Sequence, residues 1–499
     1  MINTIVLLAK RNEPRLIRVG IVGTTLCLLP VIGLSVVGLS TTRISPVFVL
    51  LVLVAPFGIL AVVKRLEVGI AAMLLAGVFV RFRIPTGTAS EIVISLVICA
   101  GCIALWVIHM LVIKKHLALK PAATNVPLLA FMATVAISWV WSRAFRDVLV
   151  HETGHPLVSV VASLVMILLP GCFLLVANNI RNVRWLQALV WILLGEGLAV
   201  LFVDLGSAFG VGPILALRTF LSTNGFLHVN SQGLLSMWCL SCALALAFFN
   251  QRLNWLWKSL LLVYAAGWVY WGFFLRTSWL SGWVPALTAA AVVTFMRSKK
   301  LFAVLAIVVL VGAGGYYWGT YLEAETQESG HTRLAAYEVN WRVTGKHLLF
   351  GTGPAGYASY YMSYFPTEAM ASHSNYIDII AQTGILGSFF ILWFFGAQAW
   401  GNYKLRLKLQ GQGNFAESLS VAVLGGTAGC IIAMALGDWL LPFAYTQGII
   451  GFDLAMLNWL FMGSLWALRH NLASGASTTG KLLVAEGAAA GSGDPVGAK

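Results

Sequence analysis

Apolar runs of about 17 to 23 residues follow one another along almost the whole chain, separated by short polar breaks. Each is about long enough to cross the hydrocarbon of a bilayer as a helix. The pattern predicts spans at 17–37, 46–63, 67–80, 91–113, 124–142, 157–177, 185–205, 229–249, 259–275, 281–296, 301–318, 376–398, 418–437 and 446–467. The third is short, so the expectation is twelve to fourteen spans in an all-α, polytopic transmembrane bundle. Short alternating segments, the mark of a membrane β-barrel, are absent from the pattern. One stretch departs from it. Residues 319–375 form the longest polar segment, expected to be a partly helical loop. They separate the spans of 1–318 from those of 376–470. After 470 the chain turns to Gly, Ala and Ser without an apolar period, and 471–499 reads as a disordered tail.

Composition strengthens the membrane reading. Of 499 residues 59% are hydrophobic and 10% charged, with a mean hydropathy of +0.86; a soluble domain carries about 25% charged residues. The net charge of +14 is distributed in short loops between spans, which argues against a nucleic-acid partner. With the N-terminus placed inside, 22 Lys and Arg fall on the inner side and 10 on the outer. That bias fits the positive-inside rule, with both termini on the cytoplasmic side and the large loop outside. The first span is expected to serve as an uncleaved signal. All seven cysteines lie in apolar runs, and the pairs Cys99/Cys102 and Cys239/Cys242 read as small packing residues.

The outer set is nine arginines and one lysine. A guanidinium is a rigid, permanently charged fork suited to phosphate oxygens, so an arginine-biased outer face suits an anionic headgroup or a pyrophosphate. Arg43, Arg81 and Arg83 are expected mainly to snorkel to the interface. Arg218 lies in an apolar loop and Arg276 at a span end, where a charge needs a partner or a wet cavity.

Two motifs in the chain are misleading. Gly351, Gly353 and Gly356 spell GxGxxG, yet no βαβ unit surrounds them, so they read as a tight turn. His151–His155 spells HExxH, the zinc-protease pattern. Gly154 within it and Pro156 directly after it favour a loop that leads into the span at 157. His373-Ser374-Asn375 differs, because a new apolar helix opens there with Ser372, Ser374 or Asn375 as its cap. Gly384 and Gly387 are expected to give that helix a small-residue face for close packing on a neighbour.

His373-Ser374, nine further residues and then Gly384-Ile385-Leu386-Gly387 resemble the signature of the O-antigen ligase and O-antigen polymerase family. Leu348-Leu349-Phe350-Gly351-Thr352-Gly353-Pro354 is similar to that family's turn in its periplasmic loop. Arg218 with Gly225-Phe226 and Asn230 is similar to its arginine loop. Where the family has a Ser-Arg pair at the opening of a span, this chain has Trp279-Leu280, with Arg276 about one helical turn earlier.

The resemblance implies a GT-C-like membrane glycosyltransferase that needs no cofactor and no metal. The donor would be a saccharide on undecaprenyl pyrophosphate and the acceptor a glycan or glycolipid hydroxyl, with inversion at the anomeric carbon. Arg218, Arg276 and Arg333 would hold the pyrophosphate and His373 would take the acceptor's proton. Trp341, Tyr357 and Tyr361 would stack on sugars, some of the tyrosines merely packing the loop. Polymerisation is favoured over ligation to lipid A–core, since nothing resembles a core-binding element. A lipid-linked saccharide transporter and an intramembrane zinc protease remain as other classes.

Overall fold

A computed structural model describes residues 58, 61–85, 91–151, 157–223, 228–229, 233–276, 280–307, 331–367 and 370–490. The chain divides into a unit of residues 1–69 and a unit of 70–499. Of the first, 58 and 61–69 are described, as helical segments interrupted at Arg65; the second holds all that follows.

The chain is all-α and polytopic. Helix α1 (Leu66–Phe79) is followed by a small antiparallel hairpin, β1 (Arg83–Pro85) and β2 (Glu91–Val93). Then come α2 (Ile94–Ile108), α3 (Asn125–Ala144), α4 (Leu157–Asn179), α5 (Val183–Ala208), α6 (Gly212–Thr223), α7 (Leu235–Phe249), α8 (Trp255–Tyr270) and α9 (Leu280–Arg297). The large loop supplies α10 (His331–Thr344) and α11 (Tyr357–Tyr364). Helices α12 (Asn375–Leu409), α13 (Phe415–Leu436) and α14 (Gly451–Ala490) close the described chain. Helices α2 and α8 each end in a wider turn, at His109–Lys114 and Trp271–Leu275.

Eight of the described helices are long and apolar enough to cross a membrane, namely those beginning at Ile94, Asn125, Leu157, Val183, Trp255, Asn375, Phe415 and Gly451. They match eight of the fourteen expected spans. Three more expected spans correspond to the shorter α1 and α7 and to α9. The expected spans at 17–37, 46–63 and 301–318 lie wholly or largely outside the described residues. Helix α14 runs on to Ala490, into the stretch that the sequence pattern reads as a tail. Extending an existing helix costs no new nucleation, which lets even Gly-containing sequence follow on.

The bundle core is tightly packed. In the segment Gly451–Ser474 of α14, 89% of the most apolar window is buried, against 22% for Ile94–Lys114. Polar groups inside lipid must be satisfied within the protein. Accordingly Trp238 Nε1 donates to Asn458 Oδ1 (2.8 Å), Trp466 Nε1 to Gln398 Oε1 (2.7 Å) and Gln398 Nε2 to the Met462 carbonyl (3.0 Å). Gly425 and Gly429 let α13 lie directly on α9: a Cβ at either would fall within 2.8 Å of the Ala289 or Pro285 carbonyl. All six described cysteines are buried and unbridged, as packing residues would be.

Two arginines expected to snorkel instead tie the protein together. Arg83 pairs with Glu91 across the hairpin (3.0 Å), and Arg81 Nη1 donates to the Ser222 carbonyl at the end of α6 (2.6 Å). Each has found a protein acceptor that the sequence pattern does not reveal. Arg43 lies outside the described residues.

Candidate functional site

The site begins where α12 begins. His373 has φ +47, in the left-handed region that a non-glycine residue enters at a cost of about 1–2 kcal/mol. Its neighbours hold it there. Ser372, Ser374 and Asn375 are all buried, whereas the His373 side chain is exposed. The Ser372 hydroxyl donates to Asp378 Oδ1 (2.6 Å) and accepts from the Ser374 N–H (3.2 Å). Asn375 Nδ2 donates to the Leu441 carbonyl (2.7 Å), and its Oδ1 accepts from the Leu440 N–H (3.0 Å). Ser374 occupies the N-cap position without capping, since its hydroxyl donates to the Met434 carbonyl (3.3 Å). The anchors point inward and the imidazole points out.

Two turns further on, α12 is broken at Gly384, with φ +68 and ψ −166. The break releases helix carbonyls, and the loop uses them. Thr352 donates to the Ala381 carbonyl from both its N–H and its hydroxyl (each 2.9 Å), and the Gly353 N–H donates to the Gln382 carbonyl (3.0 Å). The Ile385 N–H, having lost its helical acceptor, donates to the Leu348 carbonyl (2.9 Å). Gln382 Oε1 also accepts from the Ala355 N–H (2.8 Å). The turn can come this close because Gly351 and Gly384 lack a Cβ: one at Gly351 would sit 2.5 Å from the Gln382 carbonyl carbon, and one at Gly384 would fall on the Leu349 oxygen. The expected small-residue face is therefore corrected. Gly384 serves a helix break that receives a loop backbone, and it does not make a smooth face for another helix.

Tyr357 and Tyr361 belong to the packing of this clasp. Tyr357 is fully buried, stacks on Phe443 at 4.3 Å and donates its hydroxyl to Asp378 Oδ1 (2.8 Å). Tyr361 is 2% exposed and donates to the Ala336 carbonyl (2.8 Å). Neither ring presents a face to solvent, because burying apolar ring surface in the loop's own core is what folds the loop. Trp341 on α10 is 61% exposed and does present one. Asp378 thus joins Tyr357 to Ser372 and so to the backbone beside His373. Its one signal in the sequence is a carboxylate five residues past the histidine in an apolar helix.

The arginines fall into two groups. Arg333 is on α10, which packs against α12, and its Nε is buried without an acceptor among the described residues. Arg218 is exposed on α6, and no hydrogen bond or ion pair engages it among the described residues. Arg276 ends the turn that follows α8, with its guanidinium 5.7 Å from the centre of the Trp271 ring. Trp271 Nε1 in turn donates to Asp204 Oδ2 on α5 (2.8 Å). Arg276 therefore closes the preceding helix and is not on the first turn of α9. Both α6 and the 271–275 turn pack on α5, so Arg218 and Arg276 share a neighbour. No direct contact joins either to His373 or Arg333 among the described residues. Asn224–Phe226, Asn230 and Thr277–Trp279 lie outside the described residues.

The loop is also tied to the segment after α3. The Tyr364 hydroxyl donates to Asp147 Oδ2 (2.7 Å) and the His151 N–H to Ser363 Oγ (3.0 Å). The Tyr364 hydroxyl, then the Leu149 N–H, hold the Asp147 carboxyl below its ordinary value. His151 is non-helical and α4 starts at Leu157, while Glu152–Pro156 of the HExxH sequence lie outside the described residues.

Residues 239–392 match the family model described as O-antigen ligase. The match spans less than a third of the chain and shows that this segment is similar to the O-antigen ligase family. The matched stretch runs from α7 into α12 and contains Arg276, Arg333, Trp341, Tyr357, Tyr361 and His373, whereas Arg218 precedes it. No curated protein matches the chain. The segment similar to that family contains the clasp and the left-handed histidine described above.

Proposed function

We propose that this chain is a GT-C-type glycosyltransferase of the bacterial inner membrane. It moves a saccharide from undecaprenyl pyrophosphate to an acceptor hydroxyl at the periplasmic face. The observation that carries the reading is His373: a family-segment histidine held at positive φ by three buried neighbours, with its imidazole turned outward. Backbone strain of this kind gathers at sites of function. The imidazole takes the proton of the acceptor hydroxyl as that oxygen bonds to the anomeric carbon. The bond from that carbon to the pyrophosphate oxygen breaks on the opposite side, which inverts the centre. Arg218, Arg276 and Arg333 meet the charge that develops on the leaving group, so the step needs no metal. Trp341 offers a ring face to a sugar.

Polymerisation of repeat units is the favoured outcome on the sequence reading. Ligation to lipid A–core is the second, favoured by the description of the matching family. Purified protein given a lipid-linked oligosaccharide with each acceptor decides: a ladder means polymerase, a single transfer means ligase. His373→Ala and Arg218→Ala each abolish transfer while the protein still folds, and EDTA leaves transfer intact. Near-normal turnover in either variant removes the assignment. Loss with EDTA that zinc restores revives the protease class.

A further inference from the structure

Three chain segments meet at the end of α3 that lies away from the clasp. The clasp reaches α3 at Ser138, whose hydroxyl donates to the Phe350 carbonyl (2.6 Å). Asn125, the first residue of α3, is about 20 Å from there along the helix axis. At this end the chain leaves α2 through the wide turn His109–Lys114, which Lys115 stops at φ +58. The connection onward to α3 is pinned at Lys120. Its N–H donates to Asn178 Oδ1 near the end of α4 (2.7 Å), and its carbonyl accepts from Asn125 Nδ2 (2.8 Å). Asn471 Nδ2 of α14 donates to the Ile180 carbonyl, between α4 and α5 (3.3 Å). Arg181 follows directly.

Lys114 and Arg181 are exposed and Lys120 is half-buried. Burial, then Arg181 and Lys114, hold the Lys120 ammonium below its ordinary value, so the three charges act on one another. Among the described residues no carboxylate pairs with any of the three. Beside them the surface is apolar: Ile108, Leu111, Val112 and Ile113 are exposed, and so is Leu117.

Like charges gathered at one place repel, and a partly desolvated ammonium among them is less stable than in water. An anion between them removes both costs. Its source follows from where they sit. The candidate spans end or begin at Lys114, Asn125, Asn179 and Val183, the level at which a bilayer presents its phosphates. Basic pockets between spans at that level bind anionic headgroups. The exposed apolar turn runs from the charges into the hydrocarbon. A free phosphate would use the charges and leave that turn idle, whereas a phospholipid uses both.

We propose that this edge binds an anionic phospholipid, with its phosphate among Lys114, Lys120 and Arg181 and an acyl chain along Ile108 and Leu111–Ile113. The site lies at the other end of α3 from the clasp and does not rest on the transferase reading.

The test measures lipid retention by the full-length protein in detergent, read as adducts in native mass spectrometry. The probes are dioleoyl phosphatidylglycerol, dioleoyl phosphatidylcholine and glycerol 3-phosphate. From an equimolar lipid mixture phosphatidylglycerol is retained at least about tenfold over phosphatidylcholine, and high salt lowers that preference. Lys120→Gln/Arg181→Gln removes most of it, about fivefold for each cation lost. Lys114→Gln/Arg181→Gln, both at exposed positions, lowers it severalfold and decides the matter if the first variant does not fold. Lys404→Gln/Lys408→Gln, an equal change of charge at exposed positions of α12, leaves it intact. Phosphatidylcholine retained as well as phosphatidylglycerol overturns the anionic site. Glycerol 3-phosphate bound as tightly as phosphatidylglycerol overturns the lipid assignment. A preference that survives both variants, or that falls as far in the Lys404/Lys408 pair, overturns the location. None of these readouts involves transfer, so failure here and failure of the transferase reading are separate results.

Discussion

The His373 corner and the Arg218 arm are held in opposite ways. Every residue beside His373 is buried and hydrogen-bonded to a different element: Ser372 to Asp378, Ser374 to α13, Asn375 to the segment after it. Arg218 stands exposed on a short helix whose far end is fixed by one bond from Arg81. A proton acceptor must be placed to within a fraction of an ångström, and fixing it in advance lowers the barrier. On the proposed function, a long guanidinium that follows a lipid-linked diphosphate gains from reach. The two halves therefore differ in what mutation does to them: the first couples stability to function and the second separates them.

The largest break is expected at Gly384→Ala. It puts a Cβ at φ +68 and onto the Leu349 oxygen, so the clasp opens. A loss of at least about 2 kcal/mol, read as a lower thermal midpoint and faster proteolysis within 331–374, accompanies loss of transfer. Asp378→Ala comes next. It strands the Tyr357 and Ser372 hydroxyls and lets the His373 backbone drift, which lowers kcat about tenfold to a hundredfold with little change in KM. Asp378→Asn, which keeps an acceptor oxygen, recovers part of the loss; equal loss in both variants means that the charge itself matters.

On the arm, Arg218→Ala shifts stability by no more than about 0.5 kcal/mol while transfer is lost. A large thermal shift there makes Arg218 structural and erases the contrast. Tyr357→Phe removes one buried hydrogen bond, worth about 1 kcal/mol, and leaves the KM for the saccharide unchanged, whereas Trp341→Ala raises it. Acidity gives a test of a different kind. Burial, then Arg83 and Arg81, hold His228 down at about 4, below the ordinary 6.5. The unfolded chain takes up that proton first, so the contribution of His228 to stability declines as pH falls from 6.5 towards 4. His228→Asn flattens the dependence of the thermal midpoint between pH 7.5 and 5.

What the sequence could reveal follows the range of the forces involved. Spans are local: an apolar run either is or is not long enough, and α3, α4 and α12 begin within a residue of the expected positions. His373 was legible because its motif is local as well. The role of Gly384 was not, since a glycine in an apolar helix looks the same whether it admits a helix or a loop backbone. Tyr357 and Tyr361 read as sugar platforms because aromatic rings serve cores and saccharides alike, and only the fold chooses between them. Lys120 and Asn178, 58 residues apart, meet only in the fold, a separation that no spacing rule crosses.

The near-complete enclosure of residues 451–468 of α14 has a consequence for biogenesis. Of the described spans it is the latest to leave the ribosome, yet Trp238 on α7 and Gln398 on α12 find their partners on it. The translocon must therefore release the earlier segments into lipid with those polar groups still waiting. A nascent chain stopped before Gly451 would be inserted but unassembled, a target for membrane quality-control proteases until its keystone arrives.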